Sequence, residues 1–245
     1  MRKKDSRPLG ILNLERGPAP SPPRLGSILH PSTFEFPIIS ETVEGAWADV
    51  AMSGDPAIGP ATIAAAKRLV QRGAAAISSN CASFIRHQEA VAASVNVPVA
   101  TSSLLLLPAL LRQLPPTSKI AVVSADASNS SERMHNVVDP VQRSRLVIGG
   151  IEGGKLYQNE MKRPPAFTET TDIEADVATC VSRLLAANPE IASILFECTA
   201  FPPVSLSIRR MTNLPIYDIA GLCRMMMDSV AHGGARASKV AGLDP

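Results

Sequence analysis

The sequence predicts an α/β protein of two pseudo-symmetric α/β lobes with parallel sheets and an active-site cleft between them. Three observations carry this expectation. The first is an internal repeat: the stretch from Ala74 to Phe84 shares its shape with Ala192 to Phe201. Laying Cys81 over Cys198 matches Ala75 with Ala192, Ile77 with Ile194 and Phe84 with Phe201. The register runs on without a gap to Asn96-Val97-Pro98-Val99 and Asn213-Leu214-Pro215-Ile216, as expected of one structural unit used twice. The second is the alternation of short apolar runs with longer helix-periodic segments, the pattern of parallel sheets joined by helical crossovers. The third is composition. With 45% hydrophobic, 19% charged and 4% aromatic residues, the chain suits a folded globular protein with an aliphatic core. Its 245 residues divide into two lobes, 1–115 carrying Cys81 and 116–245 carrying Cys198, with Pro115-Pro116 at the boundary and room for strand exchange between them.

Taken in order, Leu9 to Leu12 is a buried strand. From Gly17 to Pro37 the chain has prolines at 18, 20, 22, 23, 31 and 37, which excludes regular helix and central strand. The aromatics of Thr33-Phe34-Glu35-Phe36 predict that this loop folds back on the body and is fixed. Glu41 to Met52 has a mixed pattern and is left unassigned. Pro60 opens a helix over 61–72, with apolar residues at 63, 66, 69 and 70, and Gly73 ends it. A strand over 75–80 delivers Cys81, a helix over 83–95 follows, and a strand over 97–101 leads to an apolar helix from Leu104 to Gln113. The second half begins with a strand from Lys119 to Ser124. A helix over 130–138, a strand over 146–151, a polar loop over 152–171 and a helix from Ile173 to Ala187 follow. A strand from Ala192 to Phe196 delivers Cys198. Pro202-Pro203 opens a helix to about 212, Ile216 to Asp218 is the last strand and Leu222 to Val230 the last helix, with a frayed tail from His232.

Several function classes are excluded by composition. A formal net charge of +2 is too small and dispersed for a nucleic-acid surface. The basic cluster Arg2-Lys3-Lys4 is followed by no sufficient apolar stretch, and the longest apolar run, Leu104 to Leu111, is interrupted by Pro108. A cytoplasmic protein without membrane attachment is expected. Four cysteines with no close pair predict free thiols rather than a disulfide framework or zinc site. No phosphate-binding glycine loop and no metal-ligand spacing is present.

Cys180 and Cys223 fall inside helices and read as small buried hydrophobes. Cys81 and Cys198 differ. Each stands where a strand hands over to a helix, where the helix dipole should favour the thiolate. Each has polar company, Ser78, Ser79, Asn80 and Ser83 around one, Glu197 and Thr199 around the other, and the two are equivalent in the repeat. In parallel sheets the ligand sits beyond the carboxyl ends of the strands, which is where both thiols are placed. Two thiols facing each other across a cleft suit proton removal from one face of a carbon and return to the other. N–H groups and hydroxyls at Ser79, Asn80, Ala82, Ser83, Thr101, Ser102, Asp126, Thr199 and Ala200 are expected to hold the substrate's carboxylate or carbonyl. Arg24, in the proline-rich loop, is the candidate for a bidentate grip on a carboxylate. The scheme calls for no cofactor and no metal. His87 is expected to be a satisfied or exposed histidine.

Ser79-Asn80-Cys81 with Pro98-Val99, and Glu197-Cys198-Thr199 with Pro202-Pro203 and Pro215-Ile216-Tyr217-Asp218, resemble the aspartate/glutamate racemase superfamily over about Leu9 to Val230. That resemblance implies one catalytic cysteine per lobe and cofactor-independent chemistry, as in amino-acid and hydantoin racemases, maleate isomerases and arylmalonate decarboxylases. Pro23-Arg24-Leu25-Gly26 leading to Thr33-Phe34-Glu35-Phe36-Pro37 is similar to a subgroup that includes the algal dimethylsulfoniopropionate lyases. The chain departs from the amino-acid racemases at Asn13 and Glu15, at Cys81-Ala82-Ser83 and at Ala200, so the groups that grip an α-amino acid are missing. The first expectation is therefore a racemase or epimerase working at an acidic C–H beside a carboxylate or carbonyl, with Cys81 and Cys198 as opposed acid and base. The alternative is a lyase or decarboxylase using the same proton abstraction, for example a C–S lyase like those acting on dimethylsulfoniopropionate. A binding protein that has lost turnover would need neither thiol. The expected partners are a small-molecule carboxylate substrate and further copies of the chain, as a dimer or tetramer.

Overall fold

In the computed structural model of the protein, residues 7–128 and 139–230 are described. The basic cluster at 2–4, the helix expected over 130–138 and the tail from His232 lie outside them. Among the described residues, eight strands form two four-stranded parallel sheets. The first takes β1 (Leu9–Asn13), β2 (Ile38–Thr42), β3 (Ala76–Ser79) and β4 (Val99–Ala100) in the order β2-β1-β3-β4. The second takes β5 (Lys119–Ser124), β6 (Leu146–Gly150), β7 (Ile191–Phe196) and β8 (Ile216–Tyr217) in the order β6-β5-β7-β8.

The repeat read from the sequence is present in the strand register, apart from an irregularity between Lys119 and Ile120 at the start of β5. Leu9 pairs with Ile38 as Ile120 pairs with Leu146, and Gly10 pairs with Ile77 as Ala121 pairs with Ile194. The N–H of Ile77 donates to Pro98 and that of Ile194 to Pro215, both at 2.9 Å. The two matched prolines therefore stand at the same register position of the same strand pair.

Helices cover both faces of each sheet, so the central strands read as continuous apolar runs. On the first sheet, Leu12 and Ile77 pack on α1 (Ala48–Ser53) and α2 (Gly59–Gln71) through Ala48, Ala65, Ala66 and Leu69. Gly73, at φ +88°, turns the chain out of α2 in a conformation that a side chain would strain. On the second sheet, Val123, Ile194 and Phe196 pack on α7 (Thr170–Ala187) through Val177, Cys180 and Val181. Gly149 lets α7 approach β6, since a Cβ there would stand 2.7 Å from a Leu184 methyl and 2.9 Å from the Cys180 sulfur.

The other faces are covered reciprocally. After β4 the chain makes a 3-10 turn (Ser103–Leu106) and α4 (Leu107–Gln113), whose Leu104, Leu107, Leu110 and Leu111 bury against Ile120, Val122 and Leu195 of the second sheet. After β8, α9 (Ile219–Val230) sends Ile219, Leu222, Cys223 and Met227 back against Leu9, Ile11 and Ala76 of the first. Helices, rather than strands, change sides, and each half completes the other's core. α3 (Gln88–Ser94) lies outside β4, α5 (Pro140–Arg143) precedes β6 and α8 (Ser205–Thr212) precedes β8.

Two segments differ from the sequence expectation. Ile38–Thr42 is a strand, half-exposed along its length, so that the apolar-polar contrast marking the central strands is weak there. Within the stretch expected to be a polar loop over 152–171, Lys155–Glu160 forms a helix, α6, anchored where the Leu156 N–H donates to Asp176 at 3.0 Å and buried through Leu156 and Asn159. No described helix is long and apolar enough to cross a membrane.

Candidate active site

Both cysteines follow directly from strand geometry. β3 and β7 end beside the first strands of their sheets, where the N–H of Asn80 donates to Leu12 at 2.9 Å and the N–H of Glu197 to Val123 at 2.8 Å. One residue later the chain turns sharply, and the N–H of Phe84 returns to the Cys81 carbonyl as that of Phe201 returns to Cys198, each at 3.2 Å. A 3-10 turn (Ala82–His87) and the Pro202–Val204 turn before α8 follow. The two turns give the two thiols the same placement at the carboxyl ends of their sheets. Thr199 ties the lobes together here, its hydroxyl donating to the Asn80 carbonyl.

Cys81 and Cys198 open onto one cavity of about 570 Å3, within the roughly 300–1,000 Å3 usual for small-molecule sites. Its floor is made by the strand ends: Asn13, Asn80, Ala82 and Ser83 from the first lobe, Ser124, Glu197, Thr199 and Ala200 from the second. The proline-rich loop closes one side through Pro20 to Arg24, with Ser27 and Ile28. That loop folds back on the body as expected: Ile28 and Phe34 are buried in the first lobe, and Phe34 stacks on Phe36 with ring centroids 4.8 Å apart. The opposite side comes from α6 and the segment after it, with Tyr157, Glu160, Met161 and Phe167. Arg16 pairs with Glu160 at 2.5 Å and Arg163 with Asp49 at 2.5 Å, pinning this second-half segment to the first half.

Arg24 is at the cavity wall. Its Nε donates to the Thr168 carbonyl at 2.6 Å and its guanidinium lies 5.0 Å from the centre of the Phe167 ring. Burial lowers its pKa from the ordinary arginine value, Glu160 opposes that shift and Arg16 adds to it. With one N–H held and the ring beneath, the guanidinium fork is oriented, and its remaining N–H groups suit a carboxylate.

Of the remaining expected residues, Asn80, Ala82, Ser83, Thr199 and Ala200 line the cavity, whereas Ser79, Thr101, Ser102 and Asp126 do not. These four brace the strand ends. Ser79 Oγ donates to the Cys81 and Thr101 carbonyls at 2.7 and 2.6 Å, and the Thr101 hydroxyl and N–H donate to Gln88. Ser102 caps the following 3-10 turn by accepting from the Leu104 N–H at 3.2 Å. Asp126 accepts from Ser128. Arg16, Tyr157, Glu160 and Ser124 reach the cavity without having been singled out from sequence, because their segments lie far from either cysteine in the chain. His87 is half-buried outside the cavity, its pKa lowered by burial and then by Arg86.

One expectation is overturned. The helix dipole was expected to favour both thiolates, but the Cys198 thiol is pushed well above its ordinary value, first by burial and then by the Glu197 carboxylate; Cys81 and Glu160 add smaller contributions, and only a hydrogen bond from the Ala200 N–H opposes them. A short 3-10 turn offers a weak dipole, which dry surroundings and a neighbouring negative charge outweigh. Cys180 and Cys223 are buried away from the cavity, and burial raises both, Cys223 to about 12. Among the described residues, no group of three or more His, Cys, Asp or Glu could hold a metal ion.

No protein-family model matches the sequence. Over 218 residues the chain is 30% identical to a dimethylsulfoniopropionate lyase of Durusdinium sp. clade D, covering 86% of this chain and 70% of that protein. The chain belongs to the dimethylsulfoniopropionate lyase family. It is also 28% identical over 241 residues to dimethylsulfoniopropionate lyase 3 of Emiliania huxleyi, covering 92% of this chain and 60% of that one. Thus it spans about 60–70% of the length of these two relatives. Among solved structures, a double mutant of arylmalonate decarboxylase in liganded form superposes with a TM-score of 0.58 at 18% identity, covering 93% of this chain and 94% of that chain. The allantoin racemase of Klebsiella pneumoniae gives 0.58 at 10% identity, covering 91% and 87%, and the glutamate racemase of Francisella tularensis 0.56 at 14%, covering 92% and 81%. The fold is therefore that of the aspartate/glutamate racemase superfamily, and the family is one of enzymes.

Proposed function

We propose that the protein is a cofactor-independent lyase that removes a proton beside a carboxylate and expels a sulfur leaving group from the next carbon, with dimethylsulfoniopropionate as the leading substrate. The observation that carries this reading is the meeting of two thiols, one from each lobe, on a single cavity in a chain of this family. In the reaction a cysteine thiolate takes a proton from the carbon bearing the carboxylate. The C–H electron pair becomes the new C=C bond, and the C–S bond breaks with its pair remaining on sulfur. Dimethyl sulfide and acrylate leave, and the thiol returns its proton to solvent. Arg24 holds the substrate carboxylate and so stabilises the charge that grows on it as the proton departs. The carboxylates of Glu160 and Glu197 balance the sulfonium charge at the same cavity. The substrate is zwitterionic and the cavity offers charges of both signs.

Racemisation or epimerisation is the second reading, favoured by the twofold equivalence of the thiols and by the fold shared with known racemases. A panel of small carboxylates, dimethylsulfoniopropionate among them, incubated with the protein in deuterated water separates the two. The lyase releases dimethyl sulfide and acrylate. Deuterium washed into recovered substrate without a smaller product would replace the lyase by a racemase.

A further inference from the structure

The repeat places Asn80 and Glu197 at equivalent positions, each the residue before a cavity cysteine and each with its N–H bonded to the first strand of its sheet. Their side chains also reach the same strand ends, with the donor roles reversed. The Asn80 amide donates to Asn13, at the end of β1, and accepts from the Leu14 N–H at 2.8 Å. The Glu197 carboxylate accepts from the Ser124 hydroxyl, at the end of β5, at 2.9 Å. The backbone placement is the same, but one lobe carries a neutral amide and the other an acid that is only 3% exposed.

We propose that Glu197 makes the two thiols unequal: it keeps Cys198 in the protonated form and leaves Cys81, preceded by the neutral amide of Asn80, as the base that takes the substrate proton. The inference rests on the lyase reading and deepens it, because an elimination needs one base, whereas a racemase working in both directions needs each thiol to serve in turn. Burial and then the adjacent Glu197 carboxylate disfavour a thiolate at Cys198, and the matching position before Cys81 carries a neutral amide instead. The groups facing Cys198 are Glu197 on its own strand end, Cys81 from the other lobe, Glu160 from α6 and Arg24 from the proline-rich loop. Arg24 acts in the opposite sense to the three acids, but its Nε is committed to Thr168. Glu197 is thus a positioning residue, acting through the thiol beside it.

The test is site-resolved alkylation with iodoacetamide between pH 7 and 9.5, reading Cys81 and Cys198 separately by peptide mass. In the parent protein Cys81 should react at least tenfold faster than Cys198 throughout. Glu197→Gln should speed Cys198 about tenfold at each pH, the change that one unit in thiolate ionisation produces, while altering Cys81 less. Equal rates at the two cysteines in the parent, or an unchanged Cys198 rate in Glu197→Gln, would overturn the proposal. Should Glu197→Gln fail to fold, Asn80→Asp supplies the converse: a carboxylate beside Cys81 should slow its alkylation about tenfold, and an unaltered rate would contradict the proposal. Alkylation needs no substrate, so a protein that releases no dimethyl sulfide fails the lyase reading without deciding this one.

Discussion

Four cysteines of one chain stand in two environments, and the difference predicts which can be removed. Cys81 and Cys198 reach the cavity, while Cys180 and Cys223 are buried in the packing of α7 and α9. Cys81→Ala should abolish turnover, and Cys180→Ala and Cys223→Ala should retain it, as initial rates on the preferred carboxylate will read. Full activity in Cys81→Ala would remove the thiol base from the account. Arg24→Ala should lower kcat/KM by roughly thirtyfold to a thousandfold, the effect of losing about 2–4 kcal/mol of charged contact to a buried carboxylate, with little change in Tm. Parent-like kinetics would make Arg24 a brace for Thr168 and nothing more. The placement of both cysteines and Arg24 at one cavity was legible in the sequence, because the repeat marks the thiols and the prolines mark the loop. Arg16 and Glu160 were not: they meet across 144 residues of chain, and nothing local in either segment signals the other. The ionisation of Cys198 was misjudged for a related reason, since burial is a property of the assembled cavity, whereas a strand-to-helix handover can be read locally.

Each repeated element carries its own copy of the same packing. Phe84 and Phe201 are matched in the sequence, close equivalent turns onto the two cysteines, and are both fully buried. Phe84→Ala and Phe201→Ala should therefore each destabilise the protein by about 3–5 kcal/mol in urea unfolding, the usual loss for a buried phenylalanine. A negligible effect at either would show that the two turns are not equivalent supports. The elements that escaped sequence reading are the ones with weak burial contrast. β2 is half-exposed at the sheet edge, and the Lys155–Glu160 helix has only two buried residues. β5 and β7, buried on both faces, stood out at once as apolar runs, and β5 keeps the Lys119–Ser124 bounds read from sequence.

In the whole molecule the lobes are bound by exchanged helices, so neither core is complete without the other half. Cys223 on α9, fully buried against the first sheet, makes this dependence titratable. In the folded protein burial raises this thiol to about 12, against 9.0 ordinarily, with Ser78 opposing and Asp218 adding to the shift. The unfolded chain therefore ionises first. Stability is fully present below pH 9.0 and falls as pH rises from there towards about 12. Cys223→Ala should lose roughly 1 kcal/mol less stability than the parent between pH 9 and 10 in urea titrations; parallel losses would mean that the thiol ionises in the folded state. The two-lobe design was readable because an internal repeat with matched prolines fixes the register of both sheets, whereas the reciprocal crossing of α4 and α9 leaves no mark in periodicity, since an apolar helix face does not say which sheet it covers. The central claim is that a thiol of this shared cavity drives elimination. The most direct measurement is dimethyl sulfide in the headspace over dimethylsulfoniopropionate, with acrylate in solution, for the parent and for Cys81→Ala. The account predicts equal amounts of both products from the parent and neither from the variant, and dimethyl sulfide released at the parent rate by Cys81→Ala would contradict it.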